Sequence, residues 1–259
     1  MATICAAVIA RDEAANIARC LASLQWADRL LVVLDDRTTD DTARLAAEAG
    51  AVVLPRTFDD FARQRNAALE AAHTDWVLFV DADEVVPSDL ASEVRSAVGS
   101  DDSSGYWIPR KNILFGQWVR HAGWSPDYQL RLLRRERARY QVDRSVHELV
   151  ELDGNEGRLK VPLIHYNYAS LSQFLAKQRV YSSMEADDMF RRGVRPRPRN
   201  FLLQPLRQFW RRYVTLRGVR DGWLGLMLAV LLAYYELRTY LLLARLVREK
   251  APAARSNSA

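Results

Sequence analysis

The chain is poor in the residues that staple or metallate small folds. Two cysteines occur in 259 residues, Cys5 in a predicted strand and Cys20 on the apolar side of a predicted helix, with no metal-ligand spacing between them. This excludes a disulfide framework and a zinc ribbon, and both thiols are expected as small core residues of a reducing compartment. Lysine is equally scarce: almost all of the 37 basic residues are arginine, set against 32 acidic ones for a net charge of +5. Arginine matches phosphate geometry, so anionic partners are expected. The amino terminus, Met1-Ala2-Thr3-Ile4-Cys5, has no basic stretch before its apolar residues and no cleavage pattern, which argues against a secretory signal and for a cytoplasmic catalytic part. Long apolar runs are also missing. The longest candidate, Gly222 to Tyr235, holds fourteen residues without a charge, short of the roughly twenty that a spanning helix needs.

What is present is an alternation. Residues 4 to 10 read as a buried strand and Glu13 to Leu24 as a helix with Ile17, Cys20, Leu21 and Leu24 on one face. Strand 30 to 34, helix 40 to 49 ending at Gly50, strand 51 to 54, helix 60 to 72 and strand 76 to 80 follow. Such alternation predicts crossover units and an α/β fold with a mostly parallel sheet flanked by helices. From Asp101 the pattern changes to short strand candidates, 105 to 110, 128 to 134 and 159 to 165, separated by Gly116, Gly123 and the turn Asp153-Gly154-Asn155. The organisation expected is a catalytic domain over 1–170, with a nucleotide half (1–100) and an acceptor half (101–170), then a helical, basic and aromatic appendage over 171–259.

Two strand ends carry acids. Trp76-Val77-Leu78-Phe79-Val80 runs into Asp81-Ala82-Asp83, and Leu30-Leu31-Val32-Val33-Leu34 runs into Asp35-Asp36. Carboxylates one residue apart at a strand end can both reach a hard divalent cation, Mg²⁺ or Mn²⁺, that keeps positions open for phosphate oxygens. Ligands of open α/β sheets bind at the carboxyl ends of strands, so the two ends suggest one crevice. The bland alternatives are a helix cap for Asp35 and a solvated turn for Asp81 and Asp83.

After Ser170 the sequence reads helical, broken by the arginine and proline connector from Arg191 to Arg199. Beyond it Phe209, Trp210, Tyr213 and Leu216 alternate with Arg207, Arg211, Arg212, Arg217 and Arg220. An apolar helix among arginines and aromatics fits a peripheral anchor on an anionic membrane surface. A core helix or a contact in a homo-oligomer is the next reading, and a spanning helix the last. Interleaving with leucine and tryptophan favours lipid over nucleic acid as the anionic partner.

Seven segments, in order, resemble the family 2 glycosyltransferases of the GT-A fold, and more closely the bacterial lipopolysaccharide-core glucosyltransferase group. They are Ile9-Ala10-Arg11-Asp12-Glu13, Val33-Leu34-Asp35 with Thr39-Asp40 and Thr42, Gln64-Arg65-Asn66, Asp75-Trp76-Val77-Leu78 leading to Asp81-Ala82-Asp83-Glu84, Pro126-Asp127-Tyr128-Gln129 with Arg131, Val146-His147-Glu148, and His165-Tyr166. Two departures stand out: Asp12 replaces the usual Asn after strand one, and Arg37 replaces a glycine in the loop after Asp35.

The resemblance implies an inverting, metal-dependent transferase moving a hexose, glucose foremost, from a UDP-sugar to a lipid-linked envelope glycan at the inner face of the bacterial inner membrane. Asp35 and Glu13 would line the nucleoside pocket, Asp83 assisted by Asp81 would hold the metal, and His165 would reach metal or diphosphate. Arg65 would add a nucleotide contact. Glu148 is implied as general base, with Asp127 competing. His73, His121 and His147 are read as structural, and His165 as a satisfied buried histidine is the alternative to a ligand.

Rival readings use the same residues. A haloacid-dehalogenase-type phosphatase would use Asp81 as nucleophile and Asp83 as acid and base, but needs that motif after the first strand, and Asp187-Asp188 falls in a helical stretch. A sugar nucleotidyltransferase expects a glycine-rich loop after strand one, where Ile9 to Glu13 has no glycine. A non-catalytic, membrane-associated interaction protein on the same fold would have lost the acids.

Overall fold

The computed structural model describes residues 1–100, 102–142 and 150–250. Four strands, β1 (Ile4–Ala10), β2 (Arg29–Asp35), β3 (Val52–Arg56) and β4 (Trp76–Asp81), lie in the order β3-β2-β1-β4 with every neighbouring pair parallel. The crossovers are α1 (Ile17–Ala22), α2 (Thr42–Glu48) and α3 (Phe61–Ala72). After β4 come β5 (Glu84–Val85), α4 (Ser88–Ala97), β6 (Gly105–Leu114), β7 (Gln117–Trp118), β8 (Tyr128–Arg134), β9 (Ala138–Tyr140), β10 (Val150–Leu152), β11 (Glu156–Arg158) and β12 (Leu163–Tyr168). β8 joins β4 antiparallel, and β6, β12 and β5 extend the sheet beyond it, with β7 and β11 paired to β6. β9 and β10 form a separate ribbon.

Successive side chains point to opposite faces of the parallel part, and both faces are covered. Ile4, Ala6, Val8, Val32, Leu78 and Val80 face one core with Ile17, Leu21 and Leu90 from α1 and α4. Cys5, Ala7, Leu31, Val33, Val77 and Phe79 face the other, under Ala68 and Leu69 of α3 and Tyr140 of β9. Both cysteines are free and fully buried, as expected of core residues, and burial pushes the Cys5 thiol up to about 12.

Helix α1 is shorter than its apolar pattern. The predicted start at Glu13 forms an isolated turn, its carbonyl accepting the Asn16 and Ile17 N–H groups at 2.9 Å, and the regular helix begins at Ile17; the Glu13 N–H donates to Thr42 Oγ1 at 2.8 Å and the Ala14 N–H to Asp40 Oδ2 at 2.9 Å. At the other end, Ser23 and Leu24 close three-residue turns on Cys20 and Leu21 instead of continuing the helix. The strand expected over 159–165 begins later, as β12 at Leu163, and β11 ends before the expected range at Arg158. Helix α4, which the strand-and-helix reading passed over, starts after Pro87 and buries Leu90, Ala91 and Val94.

The chain divides into two compact units, Met1–Lys111 with Asp127–Asn167, and Asn112–Pro126 with Tyr168–Ala259. The second is helical: α5 (Leu171–Arg191), α6 (Asn200–Trp210) continuing through a π turn at Arg211–Thr215, a 3₁₀ turn at Gly218–Asp221, and α7 (Gly222–Lys250). Leu224 and Leu228 of α7 pack with Leu114, Val119, Tyr168 and Phe174, and Leu243 packs with Ala186 and Met189 of α5. Gly225 lets α7 start tight against the preceding turn, since a Cβ there would stand 1.9 Å from the Gly218 carbonyl oxygen. The fourteen-residue apolar run begins this 29-residue helix, which by length and composition could cross a membrane.

Candidate functional site

Strand order turns at β1, whose connection leads to β2 on one side while β4 lies on the other. Open α/β sheets place their ligand crevice at the carboxyl ends of strands at such a point. A cavity of about 350 Å³ opens there, lined by residues that include Arg11, Glu13, Asp35, Phe58, Phe61 and Gln64. The structure therefore brings Glu13 and Asp35 to one pocket, the grouping that the resemblance implied, while Asp81 and Asp83 at the other strand end are not among its lining residues. Phe58 and Phe61, edge to face at 4.9 Å between centroids, supply an aromatic wall that the sequence reading did not mark. Phe61 is 52% exposed at the start of α3, an apolar residue where an exposed helix turn favours polar ones. That mismatch was its signal.

Both departures from the family pattern have local explanations. Asp12 has φ +51°, a left-handed conformation that Asp and Asn adopt more readily than other side chains. Its Oδ1 accepts the Thr39 N–H at 2.8 Å, tying the loop after β1 to the loop after β2. Arg37 folds back on Asp35: Nε reaches Oδ1 at 2.9 Å and Nη2 reaches Oδ2 at 2.8 Å, while Nη2 also donates to the Phe58 carbonyl at 3.1 Å. Arg11 Nη1 stands 3.5 Å from the same carboxylate. Asp35 is buried, and the Arg37 guanidinium holds its carboxyl well below the usual range, with a smaller contribution from Arg11.

A second cluster surrounds the end of β4. Burial by itself would raise the Asp81 carboxyl, but Arg131 and Arg110, with Arg65 behind them, hold it well below the usual carboxylate range. Arg131 Nη1 donates to Asp81 Oδ1 at 2.9 Å, Arg110 Nη2 to Oδ2 at 2.6 Å, and Arg65 Nη2 lies 3.9 Å away. Glu84, fully buried, accepts the Asp81 N–H at 2.8 Å and faces Arg110 Nε at 2.6 Å. Burial and the neighbouring Asp81 push the Glu84 carboxyl upward. Three guanidiniums thus meet two carboxylates. Arg110 and Glu84 carried no role in the sequence reading, and Arg131 carried none beyond its motif. An arginine between Leu130 and Leu132 inside a strand was the legible hint.

The motif Gln64-Arg65-Asn66 works as three separate anchors. Gln64 donates to the Thr57 carbonyl at 3.2 Å, Arg65 reaches Asp81, and Asn66 clamps Tyr140, donating to its carbonyl and accepting its N–H, both at 2.9 Å.

Asp83 points elsewhere than Asp81. Its Oδ2 lies 3.4 Å from His165 Nε2, and its carbonyl accepts the Tyr166 N–H at 2.9 Å, because β12 runs past β5 in antiparallel register with His165 opposite Glu84. Among the described residues no three His, Cys, Asp or Glu side chains cluster as a complete metal cage. A carboxylate and an imidazole are nevertheless suited to Mg²⁺ or Mn²⁺, which fill their remaining positions with diphosphate oxygens and water. Asp83 and His165 fit such a part-filled set, whereas the Asp81 carboxylate is committed to arginines.

Asp127 is half-buried just before β8. Its Oδ1 accepts from Gln129 Nε2 at 2.8 Å, and its carbonyl accepts the Arg110 N–H at 2.8 Å, which sets it beside the residue that reaches Asp81. Glu148 and His147 lie outside the described residues. In the helical unit, His121 has a structural partner: its Nδ1 lies 2.9 Å from Asp221 Oδ1. His73 caps α3 with φ +49°.

Comparison with known proteins identifies a family. The family described as "Glycosyl transferase family 2" matches residues 5–149. The chain is 29% identical, over 96% of its length and 94% of the other's, to the lipopolysaccharide core biosynthesis glycosyltransferase LpsC of Rhizobium meliloti (strain 1021). Among solved structures it is similar to S. aureus TarS 1-349, at 14% identity, 99% and 93% coverage and a TM-score of 0.48. A glucosyl-3-phosphoglycerate synthase from Mycobacterium tuberculosis, in complex with Mn²⁺, UDP-glucose and glycerol 3-phosphate, aligns at 21% identity over 52% of this chain and 57% of that one, with a TM-score of 0.39. With the family matched from β1 past the carboxylates at the ends of β2 and β4, this chain belongs to glycosyl transferase family 2, a GT-A-fold glycosyltransferase.

Proposed function

We propose that the enzyme moves a hexose, glucose from UDP-glucose foremost, to a lipid-linked envelope glycan such as lipopolysaccharide core, at the cytoplasmic face of the inner membrane and with inversion. The observation that carries the donor half is the pairing of a pocket containing Glu13, Asp35 and Phe61 with the Asp83 and His165 pair at the end of β4. A flat uracil suits the aromatic wall, and an ionised Asp35 accepts hydrogen bonds from the nucleoside. The acceptor half rests on the likeness to LpsC.

Asp83 and His165 would hold the Mg²⁺ or Mn²⁺. When bound, the cation neutralises charge developing on the departing diphosphate. The arginines around Asp81 fix the end of β4, so that Asp83 meets the donor without reorganising. A carboxylate takes the proton of the acceptor hydroxyl as its oxygen bonds to the anomeric carbon. The bond to the diphosphate oxygen breaks on the opposite face and UDP leaves with the electron pair, giving a β-linkage from an α-linked donor. Glu148 is the base implied by the resemblance, and Asp127 is the alternative beside Arg110.

The test is a thermal shift with UDP-glucose, UDP-galactose and their N-acetyl forms, with and without metal, for wild type and Asp83→Asn. Stabilisation that needs metal, favours one sugar and vanishes in the variant supports the reading, because a ligand of the native state raises its stability. No shift with any nucleotide sugar would sink the donor assignment. Single-turnover transfer by Glu148→Gln and Asp127→Asn decides the base: the variant that loses about 10²-fold or more carries it.

A further inference from the structure

The helical unit carries a surface that the donor chemistry does not use. No residue of α6 or of its π continuation is buried. Leu202, Leu206, Trp210 and Val214 recur every fourth residue, one row along a helix, at 71%, 57%, 60% and 42% exposure, and Leu203 flanks them at 52%. A row of large apolar side chains this exposed marks an interaction surface more often than an ordinary solvated face.

The segment's own charge is of one sign. From Arg191 to Arg220 the sequence holds ten arginines and no acidic residue. Asp221, the next acid, faces inward onto the backbone N–H groups of Arg120 and His121. Among the described residues, Arg199, Arg207, Arg211, Arg217 and Arg220 form no ion pair with a carboxylate. Arg207 and Arg211 follow Leu206 and Trp210 by one position each, so cations border the apolar row along its length.

That combination selects the occupant. Nucleic acid would pair with guanidiniums but leave leucines and an exposed tryptophan unexplained. A second copy meeting this face isologously would set one arginine patch against another. An anionic bilayer takes both features at once, with phosphate headgroups on the arginines and the acyl boundary on Leu202, Leu206 and Trp210. We propose that α6 and its continuation to Thr215 lie in the plane of a bilayer containing anionic phospholipid, docking the enzyme peripherally.

Helix α7 does not span in this arrangement. Tyr235 Oη donates to the Leu175 carbonyl of α5 at 3.1 Å, and Arg238 donates to the Arg179 carbonyl at 3.1 Å and to Ser182 Oγ. A bilayer around α7 would therefore draw Arg179, Glu185 and Asp187 of α5 into hydrocarbon, where charges are costly.

The proposal stands apart from the donor reading, because vesicle binding requires no transfer. The experiment is co-sedimentation of the full chain with vesicles of phosphatidylcholine alone or with about one third phosphatidylglycerol, at about 0.15 M salt. Wild type is expected on the anionic vesicles and not on the neutral ones. Leu202→Gln/Leu206→Gln/Trp210→Gln should weaken binding about tenfold or more, and Arg207→Gln/Arg211→Gln about thirtyfold. UDP binding by the same variants serves as the fold control. The proposal fails if the triple variant binds vesicles like wild type, or if neutral vesicles serve equally. It also fails if alkaline carbonate leaves the chain in native membranes, the behaviour of a spanning helix. Loss of a dimer in the triple variant without any vesicle binding would assign the surface to a second copy, and salt-sensitive RNA binding untouched by the Leu and Trp changes would assign it to nucleic acid.

Discussion

The two units use arginine in opposite ways. In the sheet unit Arg131 is buried and Arg110 is partly buried against Asp81 and Glu84, every charge answered within 3 Å. In the helical unit Arg199, Arg207, Arg211, Arg217 and Arg220 are exposed and answer to no carboxylate among the described residues. A guanidinium inside the fold works as a fixed counter-ion that holds a carboxylate, and the strand end bearing it, in one geometry. A guanidinium outside contributes little to stability and much to the field seen by a partner. Composition alone counts both kinds together.

The comparison breaks most visibly if the buried cluster is cut. Asp81→Asn leaves the buried Arg131 without its main counter-charge, and should cost about 1–2 kcal/mol in urea unfolding at neutral pH, less than a fully buried pair because the Asp81 side chain is 39% exposed to screening solvent and Glu84 still faces Arg110. The pH dependence follows from the direction of the shift. Asp81 is held below its unfolded value of about 3.9, so its contribution is complete above that value and fades as pH falls towards the folded one. The gap between wild type and variant should therefore narrow on acidification, and a gap constant from neutral pH to about pH 2 would remove Asp81 from the cluster's energetics.

A smaller effect is expected at the half-exposed Arg37. Its fork keeps Asp35 ionised, so Arg37→Ala should let the Asp35 carboxyl rise towards its ordinary range, and the acid limb of UDP binding should move to higher pH. UDP titrations across the acidic range read this directly, and an unmoved limb would show that nucleotide binding does not depend on the charge of Asp35. The smallest effect on folding belongs to the exposed set: Arg207→Gln/Arg211→Gln should change unfolding free energy by less than about 0.5 kcal/mol. A loss of several times that would mean these arginines carry structure, and the contrast between the units would fall.

Much of the sheet was legible because its signals are local. The runs ending at Asp35 and Asp81 are apolar on both faces, as strands covered on both sides must be, and the acids stand where those strands stop. The grouping of Glu13 with Asp35, and of Asp83 with His165, came from the family resemblance and not from any local pattern. The bonds that Thr42 and Asp40 make to the Glu13 and Ala14 N–H groups ahead of α1 were hidden, because the partners stand 29 and 26 residues apart in sequence. The division of labour between Asp81 and Asp83 was equally hidden, since two strands remote in sequence, β6 and β8, deliver Arg110 and Arg131 to one carboxylate.

The sequence by itself determined that continuous apolar runs alternating with helices would bury a parallel sheet with acids at its strand ends, and that an arginine-rich, acid-free segment would follow. Each is a property of neighbouring residues. Only the tertiary structure decided which carboxylates are answered by arginine and which one faces a histidine, which arginines are buried and which left exposed, and that Tyr235 and Arg238 bind α7 to α5. Those choices depend on antiparallel registers and helix packing that bring together residues tens of positions apart, and no local pattern encodes that meeting.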